Sequence, residues 1–145
     1  MVEVTNSDVM RNVLETLINI SGRKTSRGHA INIVDIVMKN LKIKYNFLKN
    51  IKIKDDRFIE DQETVSVMSD IDKIDSTNMG QALNDIIKTT YSSLGNSAGH
   101  FFIKELQRNL GFDHNSVMKD MGVDLGIMQL EKEINDLSKT ITHKK

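Results

Sequence analysis

A chain of 145 residues with 39% hydrophobic and 28% charged side chains carries enough apolar material for one core of ordinary domain size and too much for a disordered segment. Its twenty Lys and Arg balance twenty Asp and Glu, which excludes the whole-molecule attraction to phosphate backbones that dominates nucleic-acid binding. The lack of Cys excludes disulfides, thiolate nucleophiles and cysteine-held zinc together.

There is also no Pro, so helix boundaries must be written in Gly and in capping residues. The opening MVEVTNSD lacks the basic-then-apolar layout of a secretory signal, and no apolar run nears the roughly 20 residues that span a bilayer. A cytoplasmic location without membrane insertion is the expectation.

The first predicted helix starts at Asn6 or Ser7, either of which can accept from free backbone N–H groups. It sets Met10, Val13, Leu14, Leu17 and Ile18 on one face, and Gly22 is expected to end it. The loop from Ser21 to His29 then collects Arg23, Lys24 and Arg27 between Gly22 and Gly28. A second stripe of Ala30, Ile31, Val34, Val37, Met38 and Leu41 predicts a second helix. The β-branched Ile31, Ile33, Val34, Ile36 and Val37 lean against it, but the stretch is long for a strand and keeps helical spacing.

The period changes in the middle of the chain. Ile51 and Ile53 alternate with Asn50, Lys52 and Lys54, a turn is expected at Asp55 and Asp56, and Phe58 with Ile59 leads through Glu60 to Glu63 into Thr64, Val65, Ser66, Val67 and Met68. This predicts an antiparallel hairpin or three-stranded sheet, too small to stand without helices against one face. The polar connector Asp70 to Asn78 is too short to tether separate domains.

In the second half, Asp75 or Ser76 caps a helix carrying Met79, Ala82, Leu83, Ile86, Ile87, Thr90, Tyr91 and Leu94, and Gly95 stops it. Asn96 or Ser97 is expected to cap the next, with Phe101, Phe102, Leu106 and Leu110 inside and its end at Gly111. A short helical turn from Asn115 to Met121 closes at Gly122, and Asp124 begins the last helix. The expected fold is mainly helical α+β, about five helices packed with the small sheet. Residues 1–141 read as a single domain made of a helical pair (6–41), the hairpin (46–69) and a helical bundle (76–141), with 142–145 as a frayed tail.

The last helix holds the clearest pattern. Ile127, Leu130, Ile134, Leu137 and Ile141 recur at alternating three and four residue steps, a heptad seam flanked by Glu131, Lys132, Glu133, Asp136 and Lys139. About two heptads do not hold a coiled coil unaided, so the seam either pairs with another chain or packs back on its own domain. Just before it, Gly111, Gly122 and Gly126 surround Met118, Met121 and Met128, residues suited to filling gaps or to adaptable apolar surfaces. The order Met121, Gly122, Val123, Asp124, Leu125, Gly126 resembles the glycine-spaced helix of the vesicle-tethering and 4-vinyl-reductase superfamily of ligand sensors. That resemblance covers these six residues alone, and no fold, ligand or site is carried over from it.

Motifs for chemistry are sparse. Gly95, Asn96, Ser97, Ala98, Gly99 matches the G-x-S-x-G elbow and His100 follows it, but that elbow needs a strand leading in, whereas Ile86 to Leu94 leads in as a helix. The chain is therefore expected not to be an enzyme. His29, His100, His114 and His143 are scattered, and Asp70, Asp72 and Asp75 lack the glycine and distal Glu of a calcium loop, so neither metal nor cofactor is expected. Arg23, Lys24 and Arg27 form the best candidate anion site, although Lys24 and Thr25 precede Gly28 and so break the P-loop order. Lys39, Lys42, Lys44, Lys49, Lys52 and Lys54 are candidates to extend it, and the absence of an aromatic in the loop disfavours nucleic acid. The leading expectation is a regulatory or adaptor domain that forms a homodimer or binds a protein partner through Ile127, Leu130, Ile134, Leu137 and Ile141. A small-ligand or anion sensor using residues 22–29 is the alternative, and a nucleic-acid-associated protein the third reading.

Overall fold

Thr5 starts the first helix with a reciprocal cap. Its hydroxyl accepts from the Asp8 backbone N–H while the Asp8 carboxylate accepts from the Thr5 N–H, and that backbone hydrogen bond, with the Thr5 hydroxyl second, holds the Asp8 pKa below its ordinary value. Asn6, an expected cap, instead donates to the carbonyls of Ile71 and Ile74 and ties the helix start to a distant turn. The computed structural model describes residues 4–54 and 64–143, and for residues 139–143 the helix without side chains.

Helix α1 (Asn6–Lys24) buries Val9, Met10, Val13, Leu14, Leu17, Ile18 and Ile20 and is the member around which the others pack. It runs through Gly22 rather than ending there, and a Cβ at that position would lie 3.3 Å from Arg27 Cα. The expected loop thus shrinks to Thr25 and Ser26, and Ser26 caps α2 (Arg27–Leu41) by accepting from the His29 N–H. In α2 the burial of Ile31, Ile33, Val34 and Val37 overrides their weak helix propensity.

After a 3-10 turn at Asn46–Asn50, strand β1 (Ile51–Ile53) pairs antiparallel with β2 (Val65–Val67), Ile51 opposite Val67 and Ile53 opposite Val65. Those four residues share the face turned to the helices, β2 lying on α1 and β1 on α2. Among the described residues the sheet has two strands. The expected turn at Asp55 and Asp56, the Phe58, Ile59 segment and the acidic Glu60, Asp61 and Glu63 lie outside the described residues.

The polar connector contains a second 3-10 turn, Ser69–Lys73, pinned by fully buried Ile71. Asp72 accepts from the Ser7 N–H at 2.8 Å, and Asp75 caps α3 (Ser76–Leu94) by accepting from the Asn78 N–H, which holds the Asp75 pKa down. Gly95, at φ +57°, ends α3. Neither Asn96 nor Ser97 caps the next helix. They sit on a 3-10 turn, Gly95–Ala98, and α4 (Phe102–Asp120) starts four residues later with no capping side chain from its own strand of sequence. Within α4 the backbone breaks at Gly111 (φ +81°, ψ 173°), as the sequence predicts, and Phe101, expected inside, is half exposed while Phe102 and Ile103 are buried.

Helix α5 (Leu125–His143) packs on α4. Its start is located by one close approach. A Cβ built on Gly80 of α3 would lie 1.9 Å from the Met121 carbonyl oxygen, so this crossing exists only because position 80 has no side chain. Asn84, one turn on, donates to the Gly122 carbonyl. The buried apolar cluster runs from Val9 of α1 through α2, α3 and α4 to Leu125, the first residue of α5.

Midway along α3, Tyr45 Oη donates to Asp85 Oδ2 at 2.6 Å and Lys44 Nζ donates to the same oxygen at 3.1 Å. Burial works against the Asp85 charge, but the bonds from Tyr45 and Lys44 outweigh it and lower the pKa, while burial, with the bond to Asp85, raises that of Tyr45. The stability that Asp85 contributes is therefore complete above the ordinary aspartate value, about 3.9, and is lost as pH falls through its lower folded-state value. Asp85→Ala is expected to lower stability by about 1–3 kcal/mol at neutral pH, and the gap from the parent should close in acid denaturant titrations. Gly80→Ala is expected to lower unfolding free energy by about 3 kcal/mol, because the obstructing atom is backbone and cannot swing aside.

Candidate interaction surface

Gly122, at φ +92°, turns the chain out of α4, and the Val123 N–H donates to the Met118 carbonyl to close that end. Asp124 Oδ1 accepts from the Ile127 N–H and caps α5, as its place in the sequence suggests. From there the helix faces the opposite way to an ordinary amphipathic one. Toward α4 and α3 it turns Leu125, Met128, Gln129, Lys132, Glu133 and Asp136, and only Leu125 and Gln129 in that set are buried. Ile127, Leu130, Ile134 and Leu137 point outward with 55%, 55%, 55% and 63% of their surface exposed. Ile141 continues the register in the last turn, its side chain outside those described.

Polar contacts hold the inner face. Gln129 Oε1 accepts from the Lys104 N–H and its Nε2 donates to the His100 carbonyl, both at the start of α4. Lys104 is the third residue of α4, the position whose N–H an N-cap side chain ordinarily satisfies, so a glutamine from α5 does what Asn96 and Ser97 were expected to do. His100 Nδ1 lies 3.0 Å from Asp136 Oδ2 and its Nε2 4.0 Å from Glu133. Lys132 donates to Asp136 at 2.8 Å and stands over the Tyr91 ring, 4.8 Å from its centroid. The Lys132 bond, with His100 second, lowers the Asp136 pKa. Burial works against the Lys132 charge, but its bonds to Asp136 and Tyr91 prevail and raise its pKa.

The remaining candidates are dispersed. Arg23 and Lys24, on the last turn of α1, converge on Glu105 at 3.7 and 3.0 Å, whereas Arg27 on α2 donates to Asn19 at 2.9 Å and Thr64 at 3.2 Å. The three do not line one loop. Lys39 and Lys44 are paired with Asp35 and Asp85 on other parts of the surface. Ser97 is exposed on its turn, and His100 faces Asp136 of α5. Among the described residues no group of three or more His, Asp or Glu is gathered as a metal site, and no helix is long and apolar enough to cross a membrane.

No family model, no curated protein and no solved structure matches the chain.

Sequence reasoning finds the stripe but misses Gln129, because a glutamine beside an apolar seam looks like a solvated flank. Nothing in the sequence points to it, because Asn96 and Ser97 offer that helix nearer caps. Gln129→Leu leaves the Lys104 N–H and the His100 carbonyl without partners and is expected to cost about 1–3 kcal/mol. Amide hydrogen exchange should show the loss of protection concentrated in the first turns of α4 and in α5.

Proposed function

We propose that this chain is a non-enzymatic interaction or adaptor domain of the cytoplasm that self-associates through α5. The observation that carries the proposal is the inversion of α5: its inner face is held by Gln129, His100, Lys132 and Asp136, while four large aliphatic side chains at heptad spacing are turned to solvent. Contiguous exposed apolar surface of this kind marks an interaction site.

The occupant best matched to the stripe is a second copy of the same helix. Ile127, Ile134 and Ile141 fall at a positions and Leu130 and Leu137 at d positions, the combination that selects two parallel strands. Charge agrees with that orientation. In a parallel pair Glu133 faces Ser138 and Gly126 faces Glu131 across the seam, without like-charge contact. An antiparallel pair that opposes Leu130 to Ile134 brings each copy's Glu131 against the other's, and each copy's Glu133 likewise, at an electrostatic cost. The inner face of α5 uses the b, c and f positions, with Glu133 at g on its border, so each domain body lies on the outside of such a pair and leaves the seam open. The usual objection to a short coiled coil is the entropy of ordering an isolated helix, and here α5 is ordered beforehand by α4. Helix α3 leading into the Gly95–Gly99 motif, together with the engagement of His100 by Asp136, supports an anchoring role for that segment rather than hydrolysis.

Light scattering across a dilution series is expected to give twice the chain mass, falling to the monomer on dilution. Because Ile134 is exposed in the monomer, Ile134→Glu should abolish the dimer and change monomer stability by less than about 0.5 kcal/mol. A parent chain that stays monomeric at every concentration sinks the proposal. The absence of Cys makes strand direction readable: Ile127→Cys is expected to give a disulfide-linked dimer under mild oxidation, which a parallel pair allows and the antiparallel register does not.

A further inference from the structure

The last turn of α1 and the first turns of α4 enclose a cleft of about 520 Å³ lined by Arg23, Phe101, Lys104, Glu105, Arg108 and Asn109. It lies apart from the seam on α5. Three cations line it against one carboxylate, and Lys24, which does not line it, holds that carboxylate at 3.0 Å. Lys104 and Arg108 make no ion pair among the described residues, although they stand four residues apart on one helix face where like charges repel. A chain of zero net charge thus keeps an excess of positive charge at one cleft.

We infer that this cleft binds a nucleotide unit, with Arg23 and Arg108 on the phosphate and the Phe101 ring against the base. Arginine forks match phosphate oxygens in pairs, which suits them better than point charges to a positioned phosphate. Phe101 is 51% exposed, and its ring meets His100 edge-on at 4.7 Å and has the Lys104 ammonium over one face, 5.8 Å from its centroid, with the other face left for a base. A half-exposed aromatic beside Arg23, which meets Glu105 at 3.7 Å, and two cations without an ion pair among the described residues, Lys104 and Arg108, is the combination that single nucleotides and single strands use, since every base offers a face for stacking. The basic segment at residues 22–29 lacks an aromatic in sequence, and the fold brings one, Phe101 at the N-cap of α4, to the cleft that Arg23 lines.

A free nucleotide and a nucleotide within a single strand share this chemistry, and the test separates them. Fluorescence anisotropy of labelled oligothymidylate with the full-length chain is expected to report binding that weakens with salt. Phe101→Leu should weaken it about tenfold, and Arg108→Ala should weaken it while reducing the salt dependence by about one phosphate contact. All of the altered side chains are exposed, and circular dichroism checks that the variants stay folded. Displacement by ATP, together with the Phe101→Leu loss, assigns the site to free nucleotides. The same loss without displacement assigns it to strands. Binding that is displaced equally by inorganic phosphate and is indifferent to Phe101→Leu overturns the inference, as does the absence of binding by both oligothymidylate and ATP.

Discussion

A helix with no capping side chain at its own N-terminus must find an acceptor elsewhere, and α4 finds it in Gln129. That one carboxamide accepts from the Lys104 N–H, donates to the His100 carbonyl, and is buried in doing so. Rotating α5 about its axis to bury Ile127, Leu130, Ile134 and Leu137 would pull Gln129 out of the junction and leave two backbone groups dry and unpaired. Each such group costs on the order of what a partly buried aliphatic side chain gains, and the His100–Asp136 contact and the seat of Lys132 over the Tyr91 ring would be lost with it. The outward stripe is therefore a consequence of how α4 is capped.

The tether leading into α5 reinforces the same orientation. The Met121 carbonyl presses on Gly80 and the Gly122 carbonyl accepts from Asn84, so the chain between α4 and α5 is fixed against α3 from one side. Val123 and Leu125 then enter the core, and Asp124 caps the helix between them. A helix held at its start by backbone packing and along its flank by polar contacts presents a rigid ridge. Its ordering is met within the monomer, which removes much of the entropy that a short seam would otherwise have to offset on pairing.

The local grammar of the chain was legible where it concerns near neighbours. Periodicity located α1 to α5, Gly95, Gly111 and Gly122 turn the backbone at positive φ, and Asp75 and Asp124 cap the helices that follow them. The seam of Ile127, Leu130, Ile134 and Leu137 is one stripe, as its spacing required. What escaped was set by partners far away in sequence. Gly22 looks like a stop until Arg27 is seen to pack closely against its bare Cα. Arg27 looks like part of a basic loop until Asn19 and Thr64 draw it aside, and Ser97 looks like a cap until Gln129 is found in that role. Phe101 reads as core from its neighbours Phe102 and Leu106, yet it stands at the N-cap of α4 with its ring half exposed, while Phe102, the first helical residue, is buried.

The first turn of α4 joins the two surfaces. Its backbone, at His100 and Lys104, is held by Gln129 from α5, and its side chains, Phe101 and Lys104, line the cationic cleft toward α1. The same short segment thus faces α5 with its main chain and the cleft with its side chains. The proposed pairing of α5 would restrict that turn, and with it the placement of Phe101 and Lys104 in the cleft, where Glu105 already ties α4 to Arg23 and Lys24 of α1. Coupling of this kind requires no displacement of the domain. It follows from narrowing the range of positions that one capped turn samples, and its sign is favourable when the paired state and the occupied cleft prefer the same position of that turn.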